Sequence, residues 1–184
     1  MRDIHELRQK HASGAAIEFL YFWGHTPPEN GEVNHSCLSQ WFPAPFTIDG
    51  VVYPTAEHWM MASKARLFGD FATLAEIRAA VSPKDAKAAG RKVRDFDEAR
   101  WEAHRFRFVV DGNWAKFTQN HTLRQYLLGT GTKVLVEASP TDHIWGIGLT
   151  EQEARNSSPE HWPGLNLLGF ALMDVREQIS EFTF

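Results

Sequence analysis

Cysteine is almost missing from this chain. Cys37 stands alone, which excludes an internal disulfide and any metal centre built from several thiolates. A chain that carries one thiol suits a reducing compartment. No apolar run reaches the length of a membrane span, and the opening "MRDIHELRQKH" lacks the apolar core of a signal peptide, so the expected location is the cytoplasm, away from any membrane. Internal repeats, low-complexity tracts and long linkers are also missing. The nine histidines form no H-E-x-x-H or comparable cluster, and His58 has no partner at helical spacing, so no metal is expected. Nor is there an excess of positive charge. A net charge of −4 excludes strong nonspecific attraction to nucleic acid or anionic lipid.

What is present is aromatic mass, with seven Trp and thirteen Phe in a chain that is 43% hydrophobic. At 184 residues the chain is long enough for one domain with a substantial core, preceded by a polar N-terminal extension over 1–16. Charge is distributed unevenly. Residues 84–107 hold eight Lys or Arg against five acids, a net of +3, so the rest of the chain carries −7 of the total −4. Most such cations sit on solvated helix faces, but one face can still receive a phosphate.

The periodicity predicts mainly helices. "IEFLYFW" (17–23) reads as a strand and "FTIDGVVY" (46–53) as a hairpin turning at Asp49-Gly50, with a Pro- and Gly-rich loop between them. Helices are expected over "DFATLAEIRAAV", over "SPKDAKAAGRKV" with Ser82 as cap and Pro83 in the first turn, and over "DEARWEAHRFRFVVDGNWAKF". "HTLRQYLLGTG" gives a short helix stopped by Gly129, and "LLGFALMDVREQI" a closing one. "KVLVEAS" reads as a strand, "TDHIWGIGL" as a strand or loop, and "EQEARNSSPEHWPG" (151–164) as a polar loop. The class is α+β: a single compact, mainly helical domain with a few short strands.

One helix raises a chemical question. In "YPTAEHWMMASKAR" (53–66), Thr55 caps the start, and Glu57, Met60, Met61, Lys64 and Phe68 fall on one arc of about 100°. The opposite side holds Trp59, Ala62 and Arg66, so it is not plainly a solvent face either; a helix apolar around most of its circumference is the pattern of a buried helix. Two readings stand side by side. Glu57 satisfies the free N–H groups of the first turn while Lys64 snorkels to water; alternatively, both reach into one pocket. Similarly, "DHIWGIG" is either a tight bend with Trp145 in the core or the border of a binding site.

The segments "YFWGH", "PFTIDGVVYPTAEHWMMASKA", "AAGRKVR", "WAKFTQN", "LVEASPTDHIWGIGL" and "LNLLGFALMDVRE" resemble, in order and spacing, the NADAR or YbiA-like N-glycosidases, from about residue 17 to 178. The most specific elements are the T-x-E-H helix start with a lysine seven residues beyond the Glu, the G-R pair, and D-x-x-W-G. The resemblance implies a small, mainly helical fold without a metal or other cofactor. It also implies hydrolysis of a ribose C1′–N bond, either in phosphorylated ribosylamino intermediates of riboflavin biosynthesis or in ADP-ribosylated guanine of nucleic acid. The alternative is a module that binds ADP-ribose or a nucleotide without cleaving it. Carried over to this chain, the resemblance names Glu57, Asp142 and Lys64 as catalytic, and Trp23, Gly24, Arg91, Trp145, Gly146 and Asn166 as substrate-binding. Two departures stand out: "SQW" (39–41) replaces the Ser-Asn-Phe of many relatives, and "IGLTEQEARNSSPEHWPG" replaces a glycine-lysine-rich stretch that some relatives carry after W-G.

Overall fold

Six of the eight α-helices among the described residues begin at an Asp, Ser or Thr whose side chain accepts a backbone N–H of the first turn. Local sequence therefore sets most helix starts. The computed structural model describes residues 1–182, and the chain divides into two units, 1–39 with 122–184 and 40–121. The class is the expected one, mainly helical with a few short strands.

In the unit of residues 1–39 with 122–184, the elements are α1 (Ile4–Ala12), β1 (Phe19–Phe22), a 3₁₀ turn at His35–Leu38, α6 (His121–Gly129), β4 (Val134–Glu137), α7 (Glu151–Arg155), a 3₁₀ turn at Pro159–His161 and α8 (Leu167–Glu181). Between the first turn and α6 the chain forms β2 (Phe46–Ile48), β3 (Val51–Tyr53), α2 (Ala56–Leu67), α3 (Phe71–Ala79), α4 (Pro83–Gly90) and α5 (Glu98–Gln119) of the other unit. β1 and β4 run parallel, Phe19 opposite Val134 and Phe22 opposite Glu137. β4 is fully apolar at Val134, Leu135 and Val136, all buried, because α8 covers it. Gly169 permits that approach: a Cβ there would lie 2.0 Å from the Leu135 carbonyl oxygen.

In the unit of residues 40–121, β2 and β3 form the expected hairpin, and Asp49 and Gly50 take φ of 51° and 73° at its turn. Those left-handed values are what Asp-Gly permits in a two-residue hairpin loop. The exposed edge at Thr47 is closed by a side chain: Gln119 accepts the Thr47 N–H at 2.8 Å and donates to its carbonyl at 2.8 Å. α2 lies at the centre of the unit, packed against α3, α4 and α5. Its residues Ala56 to Ala65 are buried on nearly every side, as the circumferential apolar pattern predicts. Two glycines allow the closest contacts. A Cβ on Gly90 of α4 would come within 2.1 Å of the Met61 sulfur, and one on Gly112 of α5 within 2.3 Å of Trp59 Cδ1.

Two sequence expectations need correction. The polar start folds as α1, capped by Asp3, with Ile4 and Leu7 buried. The polar stretch 151–164 contains α7, closed by a reciprocal capping box between Thr150 and Glu153, and a further 3₁₀ turn. Both segments carry few apolar residues, and neither has the long stripe that marks a helix by period.

Candidate active site

Glu57 stands in the first turn of α2 and is only 2% exposed. The backbone around it is held from three sides. Its own N–H donates to the Gln40 carbonyl at 3.0 Å. Thr55 caps the helix, its hydroxyl oxygen accepting the His58 N–H at 3.4 Å. The His58 ring completes the clamp, with Nε2–H donating to the Ala80 carbonyl at 3.2 Å and Nδ1 accepting the Thr55 hydroxyl hydrogen at 2.8 Å. That tautomer needs a neutral imidazole, and burial does push the His58 pKa below its ordinary value, against smaller opposing effects from the Ala80 carbonyl and Asp85. A carboxylate at this position gains from the aligned N–H groups of the helix start.

Lys64 lies two turns further along α2, about 10 Å of rise away. Its amine rests 4.2 Å from the centre of the Phe96 ring and 5.7 Å from Trp101. Burial against these rings lowers its pKa, with Glu98 acting in the opposite sense. Arg91 is exposed at the C-terminal cap of α4, where a cation is favoured by the free carbonyls. Gly90, wedged beneath Met61, fixes the position of that cap relative to α2.

The other predicted residues lie in the unit of residues 1–39 with 122–184. Trp23 is 61% exposed just beyond β1, and Gly24 beside it has φ of 86°, where a side chain would be strained. Asp142 Oδ1 accepts the N–H of Ile144 at 2.9 Å and of Trp145 at 2.7 Å, so this carboxylate shapes the turn that carries Trp145. Gly146 is buried where a Cβ would meet the Glu137 carbonyl oxygen at 2.9 Å. "TDHIWGIGL" forms no strand, but backbone bonds fasten it on both sides: Ile147 N–H to Glu137, and Gly164, Leu165, Asn166, Leu167 and Leu168 N–H to carbonyls of Ile147, His143, Gly146, Ile144 and Trp145. Asn166 is fully buried with φ of 55°; its amide donates to the Leu135 carbonyl at 2.9 Å and accepts the Glu137 N–H at 2.9 Å. These contacts give Asn166 an architectural job, tying the start of α8 to β4.

Sequence reading passed over two polar residues of α5. Asn113 is fully buried, accepts from Gln40 Nε2 at 3.1 Å and donates to the Val109 carbonyl at 2.8 Å. Gln40 connects Asn113 to the backbone that holds Glu57. Lys116, one turn on, is also fully buried, its amine 5.1 Å from the Phe117 ring and 5.8 Å from Phe42. A lysine this deeply buried is rare. The signal was available: Asn113 and Lys116 share the inward side of α5 with Val109 and Val110, just as Glu57 shares the apolar arc of α2.

A mainly helical protein with a buried carboxylate at a capped helix start is the class that these features define. The comparisons place it further. The NADAR domain matches residues 21–180. An N-glycosidase of Acanthamoeba polyphaga mimivirus is 43% identical over 166 residues, covering 88% of this chain and 96% of that protein. N-glycosidase YbiA of Escherichia coli K12 is 35% identical over 136 residues, 74% of this chain and 76% of the other. The NMR structure of Escherichia coli YbiA superposes with a TM-score of 0.70 at 31% identity, covering 91% of this chain and 89% of that one. This chain belongs to the NADAR family.

Proposed function

We propose that this protein is an N-glycosidase that hydrolyses the bond between ribose C1′ and a base or amine nitrogen, with Glu57 as the group that faces the reacting carbon. The activity is supported by relatives named as N-glycosidases over most of the chain's length. The observation that carries the role of Glu57 is its burial, 2% exposed, at the capped start of α2.

The chemistry follows from the bond. As C1′–N breaks, positive charge develops on the ribose ring; the oxygen of water then bonds to C1′, one water proton is released, and the departing nitrogen gains a proton. A fixed carboxylate stabilises the cationic ring or takes the water proton, and burial makes it more effective than it would be in water. Glu57, favoured as an anion by the helix start, fits either of those roles better than that of proton donor. Asp142 is the proposed second carboxylate. Its Oδ1 holds the turn, and its Oδ2 has no hydrogen-bond partner among the described residues.

The proposed substrates are the phosphorylated ribosylamino intermediates of riboflavin biosynthesis and ADP-ribosyl groups on guanine; nucleic acid enters only as the carrier of such a group. Lys64 and Arg91 are assigned to the phosphate end. A desolvated ammonium against Phe96 and Trp101 recovers its lost hydration energy when an anion arrives. Trp23, exposed and flat, is assigned to stacking on the base. The test is incubation of the purified protein with both substrate classes, the released base being identified by mass. Release of free base together with the ribose phosphate or ADP-ribose supports the reading. Binding without release would leave a non-catalytic ADP-ribose module.

A further inference from the structure

Between Gly148 and Gly164 the chain makes an excursion whose two ends are fastened together beside the Asp142–Gly148 turn. Gly164 N–H donates to the Ile147 carbonyl at 2.8 Å, and Gly148 has no room for a Cβ, which would lie 2.9 Å from Pro163 Cγ. The arm itself spans residues 149–163. It holds one short helix, α7, and a 3₁₀ turn, neither long enough to be stable alone.

α1 supplies what the arm lacks, and it lies outside the matched domain, which begins at residue 21. Ile4 and Leu7 bury one side of α1. From the next position, Arg8 reaches two carbonyls of the arm at once, Nε to Pro159 at 3.0 Å and Nη2 to Trp162 at 2.7 Å. One turn further, His11 Nδ1 meets Glu160 Oε1 at 3.0 Å. Trp162 is 1% exposed and packs edge-on against Phe19 and Tyr21 of β1, at 5.4 and 6.3 Å between ring centres. Its indole N–H has no hydrogen-bond partner among the described residues; its backbone N–H donates to the Pro159 carbonyl at 3.3 Å, and its own carbonyl accepts from Arg8.

We propose that α1 is a brace for the arm 149–163, with Arg8 as its positioning residue, and that the brace sets how tightly the Asp142–Gly148 turn receives the substrate. The inference rests on the reading of that turn as substrate-binding. Arg8 touches neither substrate nor reacting atoms; it acts through the arm, whose ends hold the turn. The guanidinium fork matters because two carbonyls must be reached from one side chain, which a lysine cannot reproduce in the same geometry.

The experiment uses the full chain and two readouts on Arg8→Ala and Arg8→Lys. The first is backbone hydrogen exchange. Loss of two charge-assisted bonds is expected to speed exchange across 149–163 by about tenfold or more in Arg8→Ala, with α2 and α5 unchanged and partial recovery in Arg8→Lys. The second is the split between KM and kcat: KM should rise several-fold while kcat stays near the wild-type value, with Arg8→Lys between the two. Unchanged exchange in Arg8→Ala overturns the brace. Faster exchange with unchanged KM overturns its link to substrate. If the wild type itself turns over neither substrate class, the proposed reaction has failed, and the exchange measurement alone then decides the brace.

Discussion

Trp59 of α2 lies directly over Gly112 of α5, so close that a Cβ on the glycine would meet the indole Cδ1 at 2.3 Å. The same indole donates to the Phe108 carbonyl at 2.7 Å, which locks α2 to α5 in register. This contact helps fix the helix that carries Glu57. Gly112→Ala should therefore destabilise the protein by about 1–3 kcal/mol, the range for overpacking a core, despite the better helix propensity of alanine. Chemical denaturation measures it; a variant as stable as wild type would mean that the two helices shift apart without cost.

His58 gives a pH dependence of known sign. Its folded pKa lies below the ordinary imidazole value of about 6.5, so below that pH the unfolded chain binds a proton that the folded one refuses. Stability from this group is fully present above pH 6.5 and declines as pH falls toward the lowered folded value. The Ala80 carbonyl and the charge at Asp85 reduce the effect without reversing it. Thermal unfolding between pH 7 and 5 should show a steeper loss in wild type than in His58→Gln. Equal slopes would place the titrating group elsewhere.

Asp70 acts in the same direction at lower pH. Its buried carboxylate caps α3 and accepts from Thr73 and from three nitrogens of Arg94, at 3.0, 3.2 and 2.8 Å for N, Nε and Nη2. The Arg94 side chain beside it is the chief reason that its pKa lies far below the usual carboxylate range. Its contribution is complete above about pH 3.9 and lost as pH falls further. Asp70→Asn should lower the melting temperature at pH 7 and flatten the acid limb below pH 4. An unchanged acid limb would contradict the assignment.

Arg91 tests the phosphate end of the substrate. Arg91→Ala should weaken binding of the phosphorylated ligand by about 1.5–3 kcal/mol, the range for a charged hydrogen bond, and that of the dephosphorylated ligand much less. Titration of both ligands against both proteins decides it. Equal small losses would show an ordinary exposed helix-end arginine, with the phosphate held elsewhere.

The parts of the fold legible in the sequence were those set by local chemistry. Asp49-Gly50 gave the hairpin turn, Ser82-Pro83 and Thr55 gave helix starts, and each stands where expected. α1 was not legible, because it packs on the 3₁₀ turn at Pro159–His161 and bonds to it through Arg8, 151 residues away. α7 was missed for its shortness, although Thr150 and Glu153 spell a capping box. The depth of Glu57 was readable from the arc of α2, while that of Lys116 and Asn113 went unread on α5. The left-handed backbone of Asn166 and both of its amide contacts are facts of tertiary structure that no local pattern spells.

The claim on which the rest depends is that Glu57 is charged and faces the reacting carbon. Its most direct test is single-turnover hydrolysis by Glu57→Gln, which keeps the side-chain volume and removes the charge, with melting temperature and ligand affinity measured on the same sample. The account predicts turnover lowered by roughly 10²–10⁴, with fold and affinity close to wild type. Wild-type turnover in a folded Glu57→Gln protein would contradict it.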